Sequence, residues 1–330
     1  MVIKLDKKIY GKFFTCQNPF RSFLFQQWFK MIPAYQNQTI LEPFAGENNI
    51  VNLLRDVGIG NDFNSFDINI PLNNKASDVT IQQQNTLKNF PKNYSIAITN
   101  PPYLAKNSAT RDKLPYPKIK YDDIYKFALD IMLNHLDFVA AIIPESFITS
   151  GLFHHRLYGV ISLNYEMFDD TDCPVCLALF MPLRNKHINP KDFVIYWGDK
   201  KIGYYEKLSK NIISTHKRSD WRFNDPSGQI GLYAIDTTEG ATIRFVRGEE
   251  INSKEIKVTN RGITRIGKND NVDRDDIINR ANDVLTIYRK ETYDILMTAF
   301  RGLRKDGYYR RRLSFYQANQ ILTHALAQYV

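Results

Sequence analysis

The stretch SIAITNPPYLAKNSATR, residues 95–111, closes an apolar run with Asn100, Pro101, Pro102 and Tyr103. Proline cannot donate to a β-ladder, so two in succession stop a strand and hold the following backbone extended. Asn100 is left at the strand end, where its carboxamide oxygen can accept a hydrogen bond. Pro101 and Pro102 offer carbonyls without competing N–H groups, and Tyr103 adds a flat ring. Acceptors beside a ring suit a planar aromatic amine, which donates to the oxygens while the ring stacks on its face. A turn of no chemical meaning is the alternative that four residues leave open.

A second constellation lies upstream in LEPFAGENN, residues 41–49. The spacing predicts a strand ending at Leu41 and Glu42, a turn through Pro43, Phe44, Ala45 and Gly46, and a helix starting near Asn48. Gly46 permits a tight turn or a close backbone approach, and the helix start favours an anionic group such as a carboxylate. Asp67, in SFDIN, follows Gly46 by 21 residues. An acid at the end of the second strand at that distance can accept from two ribose hydroxyls; capping a turn is its plainer use. Cys173 and Cys176 form a lone C-x-x-C with only Cys16 as a further thiol, and His154-His155 lack ligand spacing. No metal site is expected.

These residues need a scaffold, and the first half of the chain supplies a βαβα rhythm. Strands are expected in QTILEPFAG, FNSFDIN, YSIAITNPPY and DFVAAIIPESF, and helices in NNIVNLLRDVG and YDDIYKFALDIMLNHL. The last carries apolar residues at 124, 127, 128, 131, 132 and 136. That rhythm predicts an α/β domain with a mostly parallel sheet, whose ligand loops lie at the carboxyl ends of its strands. Beyond residue 183 the segments are short, Gly-punctuated and rich in aromatic and β-branched residues. DFVIYWGDKKIGYYEKL, QIGLYAIDTT, ATIRFVRG and EIKVTNRGITRIGK read as strands and turns. DIINRANDVLTIYRKETYDILMTAFRGL and FYQANQILTHALAQYV read as helices. The expected division is a core domain, 1–182, and a mixed α+β domain, 183–330.

Composition bounds the setting. A chain of 330 residues, 43% hydrophobic and 24% charged, has globular proportions. Its N-terminus lacks the apolar core of a secretory signal, and the run FVAAII stops at Pro144, far short of a membrane span. Three cysteines imply no disulfide framework, and a cytoplasmic location is expected. Residues 1–182 hold 17 basic and 17 acidic side chains, so the net +9 falls wholly on residues 183–330. A neutral half joined to a basic half suits a core module beside a polyanion-binding one, or simply a solvated basic surface. The cations nominated are Arg261, Arg265 and Lys268 in NRGITRIGK, and Arg301, Arg304, Arg310, Arg311 and Arg312 in RGLRKDGYYRRRLSFY.

Asn100-Pro101-Pro102-Tyr103 resembles the catalytic tetrad of N6-adenine methyltransferases that use S-adenosylmethionine. The resemblance covers roughly residues 11–182 and implies a Rossmann-like methyltransferase sheet. It implies that Asn100 and Pro101 hold the target amine, and that Glu42 through Gly46 form the cofactor turn. The family's second glycine is replaced here by Glu47 and Asn48. Asp67 would take the ribose, and Asn85 stands where the family has an Asp contacting the cofactor's adenine. Phe14 and Thr15, in GKFFTCQ, match the segment covering the methionine end, with Cys16 in place of the family's Pro. Phe168, in EMFDDTDCPVCLALF, matches the aromatic residue that would sandwich an extruded adenine against Tyr103. The motif order is that of the gamma class, with a C-terminal domain reading duplex DNA. The stretch NPPYLAKNSATR and the chain length resemble type II modification enzymes of the CATG kind; a monomer is expected, with a cognate restriction endonuclease in the same system but no stable complex with it. Methylation of an RNA base or a protein glutamine, and a DNA-binding protein with an inactive core, are the competing expectations.

Overall fold

Short apolar runs bounded by turn residues become strands, and the longest sheet is built from nine of them. The computed structural model describes residues 18–163, 174–182, 192–210, 220–257, 259–268 and 273–327. Phe14, Thr15, Cys16, Phe168 and Cys173 lie outside these residues. The chain forms two units, Met1–Lys201 and Ile202–Val330.

The strands of the large sheet are β1 Ile40–Glu42, β2 Phe63–Asp67, β3 Ile81–Gln83, β4 Ile96–Thr99 and β5 Phe138–Pro144, then β6 Leu157–Ser162, β7 Val175–Phe180, β8 Val194–Trp197 and β9 Lys200–Tyr204. Their spatial order is β3-β2-β1-β4-β5-β7-β6-β8-β9. The pairs from β3 to β5 are all parallel, and β7 runs antiparallel between β5 and β6. This is the expected α/β architecture, a Rossmann-like sheet in which β7 is reversed. Strand order turns round between β1 and β4, so their carboxyl ends flank the crevice where ligands of such sheets bind. β4 and β5 are buried along their whole length, which is why they read as unbroken apolar runs.

Helices cover the sheet for sequence reasons. Phe23–Lys30 buries Leu24, Phe25, Trp28 and Phe29, and the Trp28 indole donates to the Phe180 carbonyl at 3.0 Å. Ile124–His135 starts where Asp123 accepts from the Tyr125 amide at 3.3 Å. Its buried stripe is Ile124, Tyr125, Ala128, Leu129, Met132 and Leu133. Phe127 and Ile131, expected in that stripe, are half-buried instead. β3 and β6 were not foreseen, the first because QQQ carries no apolar alternation. The strands in DFVIYWGDKKIGYYEKL extend the first sheet, β8 lying parallel to β6, so unit 1 runs to Lys201 rather than stopping at 182.

Unit 2 holds an antiparallel sheet in the order β10-β13-β11-β12, from β10 Arg222–Phe223, β11 Ile230–Tyr233, β12 Arg244–Arg247 and β13 Ile263–Gly267. A separate ribbon pairs β14 Thr298–Leu303 with β15 Tyr309–Arg312. Helices span Arg274–Thr292 and Phe315–Ala327. One helical expectation fails here. Tyr293 and Asp294 adopt φ of +49° and +61°, ending the helix, and TAFRGL continues as β14. RGLRKDGYYRRRLSFY is mostly that ribbon, turning at Asp306-Gly307, an Asp-Gly hairpin signal the basic composition masked.

Candidate active site

The carboxyl ends of β1, β2 and β4 bring Glu42, Asp67 and Asn100 to one edge of the sheet. Glu42 is 1% exposed. Its Oε1 accepts from the Phe44 amide at 3.0 Å and from the Thr99 hydroxyl at the end of β4. Its Oε2 is buried with no partner among the described residues. Burial raises the Glu42 carboxyl to about 8, the Thr99 and Phe44 hydrogen bonds pull it down, and the charge of Asp67 adds to the rise. The native group therefore holds a proton near neutrality.

Asp67 terminates β2 and is 5% exposed. Its Oδ2 accepts from the Gly46 amide at 3.0 Å and its Oδ1 from Asn69 at 2.9 Å. The turn between the two acids is held by the Ala45 amide on the Phe66 carbonyl at 2.8 Å. Gly46 has φ +52°, and Asn48 has φ +60° where a second glycine was expected. Asparagine tolerates that left-handed conformation, and its Nδ2 donates to Asn74 Oδ1 at 2.9 Å and to the Val79 carbonyl at 3.0 Å. Asn48 thus does the conformational work of the missing glycine and adds a tether. Pro43 accepts from Thr86 at 2.9 Å, which anchors the segment bearing Asn85 beside the turn. Asn85 is half-buried there, and its carbonyl accepts from Lys88 and Asn89.

Asn100 follows β4, half-buried, with Pro101 buried behind it. Tyr103 is 8% exposed. Its hydroxyl contacts Asn100 Oδ1 and the Ile142 carbonyl on β5, the latter at 2.6 Å. Its ring meets Tyr125 edge-on at 6.2 Å. The chain beyond is stapled to the next helix start: Leu104 donates to Asp123 Oδ1 at 3.1 Å, and Lys106 to the Asp122 carbonyl at 2.8 Å. Burial raises the Asp123 carboxyl to about 6, against the pull of the Tyr125 and Leu104 amides. Tyr103 is therefore fixed from both ends, and stacking a base on it requires uncovering a ring face.

Sequence reasoning named Glu42, Gly46, Asp67 and the tetrad but missed the residues that hold them. Thr99 was hidden inside an apolar run, although a lone Thr before Asn-Pro-Pro was a signal. Ile142 acts through its carbonyl, which no side chain advertises. The groups at this edge are a buried carboxyl with one oxygen unmatched among the described residues, a second carboxylate, and the Asn100 carboxamide next to the Pro101 carbonyl. Such a set fits a cationic, hydroxyl-bearing cofactor next to an amine. Among the described residues no cluster of His, Cys, Asp or Glu could hold a metal, and Cys176 is a buried strand residue.

The nominated cations of unit 2 divide in two. Arg304 is 8% exposed and lies within a buried ionic cluster, 3.0 Å from each Asp306 oxygen and 3.3 Å from Asp236. Arg289 completes that cluster, bidentate on Asp236 at 2.9 and 2.8 Å and on Asp294 at 2.9 and 2.7 Å. Arg311 is 5% exposed, and its amide donates to Asp236 Oδ2 at 3.2 Å. Arg265 donates to the Ile251 and Pro226 carbonyls, both at 2.8 Å. Lys268 pairs with Asp220 at 3.2 Å and lies over the Trp221 ring. The side chains of Arg265, Arg304 and Lys268 are thus committed to the fold, and Arg311 is buried with its main-chain amide on Asp236. Arg310 is half committed, donating to the Asp236 carbonyl at 2.8 Å. Arg261, Arg301 and Arg312 have no acid partner among the described residues. Burial and the charge of Arg261 lower the Arg312 guanidinium below its usual value.

The sheet is that of an α/β protein with its candidate ligand groups at the topological switch, and 43 chains of solved structures resemble it. One is the methyltransferase subunit of a type I restriction-modification system from Streptococcus thermophilus, 19% identical, with a TM-score of 0.41. The match covers 62% of this chain and 53% of that subunit, so the chain spans about half its length. The M protein of the type I restriction enzyme EcoKI is 14% identical over 88% of this chain and 66% of its own, with a TM-score of 0.32. The 23S rRNA methyltransferase ErmE is 13% identical over 48% of this chain and 68% of its own, with a TM-score of 0.31. No family model and no curated protein matches. Among the described residues no helix is long and apolar enough to cross a membrane.

Proposed function

We propose that this chain is an S-adenosylmethionine-dependent methyltransferase acting on the N6 amine of an adenine in duplex DNA, in the gamma-class arrangement. The observation that carries the reading is the meeting of Glu42, Asp67 and Asn100 at adjacent strand ends. A cofactor turn and an amine-holding tetrad lie side by side there.

When bound, S-adenosylmethionine supplies an electrophilic methyl group on a positively charged sulfur. Asp67 accepts from ribose hydroxyls, and Glu42, once ionised, balances positive charge beside the turn. The N6 lone pair of adenine is delocalised into its ring and weakly nucleophilic. Hydrogen bonds from that amine to Asn100 Oδ1 and the Pro101 carbonyl localise the pair toward the methyl group. Positioning and electrostatics carry the rate, with no strong base required. Reaching the amine requires extruding the base, and stacking on Tyr103 and Phe168 offsets a few kcal/mol of unpairing. Arg261, Arg301 and Arg312 neutralise phosphates, which supports a nucleic-acid substrate over a protein glutamine.

The test is transfer of tritiated methyl groups to unmethylated duplex DNA, with matched RNA and glutamine-peptide substrates. Methyl groups on DNA adenine N6 are expected. Transfer to RNA alone would displace the DNA assignment, and no transfer to any substrate would overturn the reading.

A further inference from the structure

Two contacts of one hydroxyl make a demand that a single proton cannot meet. Tyr103 Oη lies against Asn100 Oδ1 and 2.6 Å from the Ile142 carbonyl oxygen. Both atoms accept and neither donates, whereas a phenol carries one proton and two lone pairs. The Ile142 carbonyl is a main-chain group of β5 that can only accept, so it takes that proton. The carboxamide does have an alternative. Oxygen and nitrogen of an Asn side chain are assigned from the bonding network, and a half-turn about Cβ–Cγ exchanges them.

We propose that Tyr103 is a positioning residue for the carboxamide. Its hydroxyl donates to Ile142 and accepts from Asn100 Nδ2, which turns Asn100 Oδ1 away from Tyr103 and toward the incoming amine. This rests on the function proposed above and deepens it. In the opposite orientation the one strong acceptor of Asn100 is occupied by the phenol, and Nδ2 faces the substrate amine donor to donor. The stapling of Leu104 and Lys106 to the following helix start fixes the Tyr103 backbone. The Ile142 carbonyl belongs to a strand buried at every position. The hydroxyl is thus a rigid reference against which the carboxamide sorts its two ends. Aromatic stacking explains a ring at position 103; the bond to β5 explains the oxygen on it.

The decisive variant is Tyr103→Phe, which keeps the ring and removes the hydroxyl. Single-turnover methyl transfer is expected to fall roughly tenfold to a hundredfold, with DNA affinity and 2-aminopurine fluorescence at the target unchanged. Asn100→Asp supplies the control, because a carboxylate is the same from either side and needs no sorting. Adding Tyr103→Phe to Asn100→Asp should lower the rate less than twofold. An equal loss in both backgrounds, or no loss in the first, would overturn the proposal. A crystal structure of the wild-type chain at atomic resolution reads the orientation without any activity. Nδ2 facing Tyr103 supports it and Oδ1 facing Tyr103 refutes it, whatever the substrate proves to be. Absence of methyl transfer by the wild type would count against the function and leave this second measurement decisive.

Discussion

The two units treat their charges in opposite ways. At the switch-point edge of unit 1 a carboxyl group is buried with one oxygen unmatched among the described residues, and a nearby carboxylate adds to its proton affinity. In unit 2 the buried acid Asp236 is surrounded by two guanidiniums and backbone amides, and burial is overcome to leave it ionised. Charges arranged for the fold find their partners within it. An unmatched buried oxygen, by contrast, costs free energy that a ligand can return. The contrast separates residues kept for a ligand from residues kept for the structure, and each half of it can be broken.

The largest effect is expected from the structural cluster. Asp236→Ala removes the more deeply buried of the two acids that Arg289 and Arg304 share, leaving Asp294, and should destabilise unit 2 by about 3 kcal/mol. Urea unfolding measures it; a loss below about 1 kcal/mol would show the cluster to be incidental. Asn100→Ala addresses the other side, with methyl transfer expected to fall about a thousandfold while urea stability and DNA affinity hold. A stability loss equal to that of Asp236→Ala would reclassify Asn100 as structural. The cations come next. Replacing Arg261, Arg301 and Arg312 by Gln should reduce the slope of log affinity against log salt by about 2 to 3. Arg265→Gln should leave that slope unchanged, since its guanidinium is spent on two main-chain carbonyls.

The same division explains what was legible from sequence. The βαβα rhythm and the strand-ending turns at Glu42, Asp67 and Asn100 are local patterns, and local patterns survive in a linear string. The helix start at Asp123 was visible for the same reason. Unit 2 was misread where partners distant in sequence decide the outcome. Arg304 looks like Arg301 in a basic run, yet Asp236, 68 residues away, claims one and leaves the other. The boundary moved because β8 extends the sheet from β6, a strand that carried no motif. Thr99 and Ile142 show the remaining gap: one was concealed by its apolar neighbours, and the other contributes only backbone.

Protonation offers the finest test of the contrast, because the two buried acids must bend the stability curve in opposite directions. The native Glu42 carboxyl titrates near 8 and the unfolded one near 4.5. Between those values the folded chain holds a proton that the unfolded chain has released. Stability therefore falls as pH rises, by about 1.4 kcal/mol per unit, and levels off above 8. Asp236 is shifted downward, so its contribution is present above the ordinary carboxylate range and lost as pH falls through the native value. Glu42→Gln should remove the first slope and leave the second: the variant is more stable than the wild type at pH 8, and the difference shrinks toward pH 5. Thermal unfolding of both proteins from pH 4 to pH 9 reads this directly. Parallel curves would mean that Glu42 is ionised in the free protein, and that the edge of unit 1 is as self-satisfied as the cluster of unit 2.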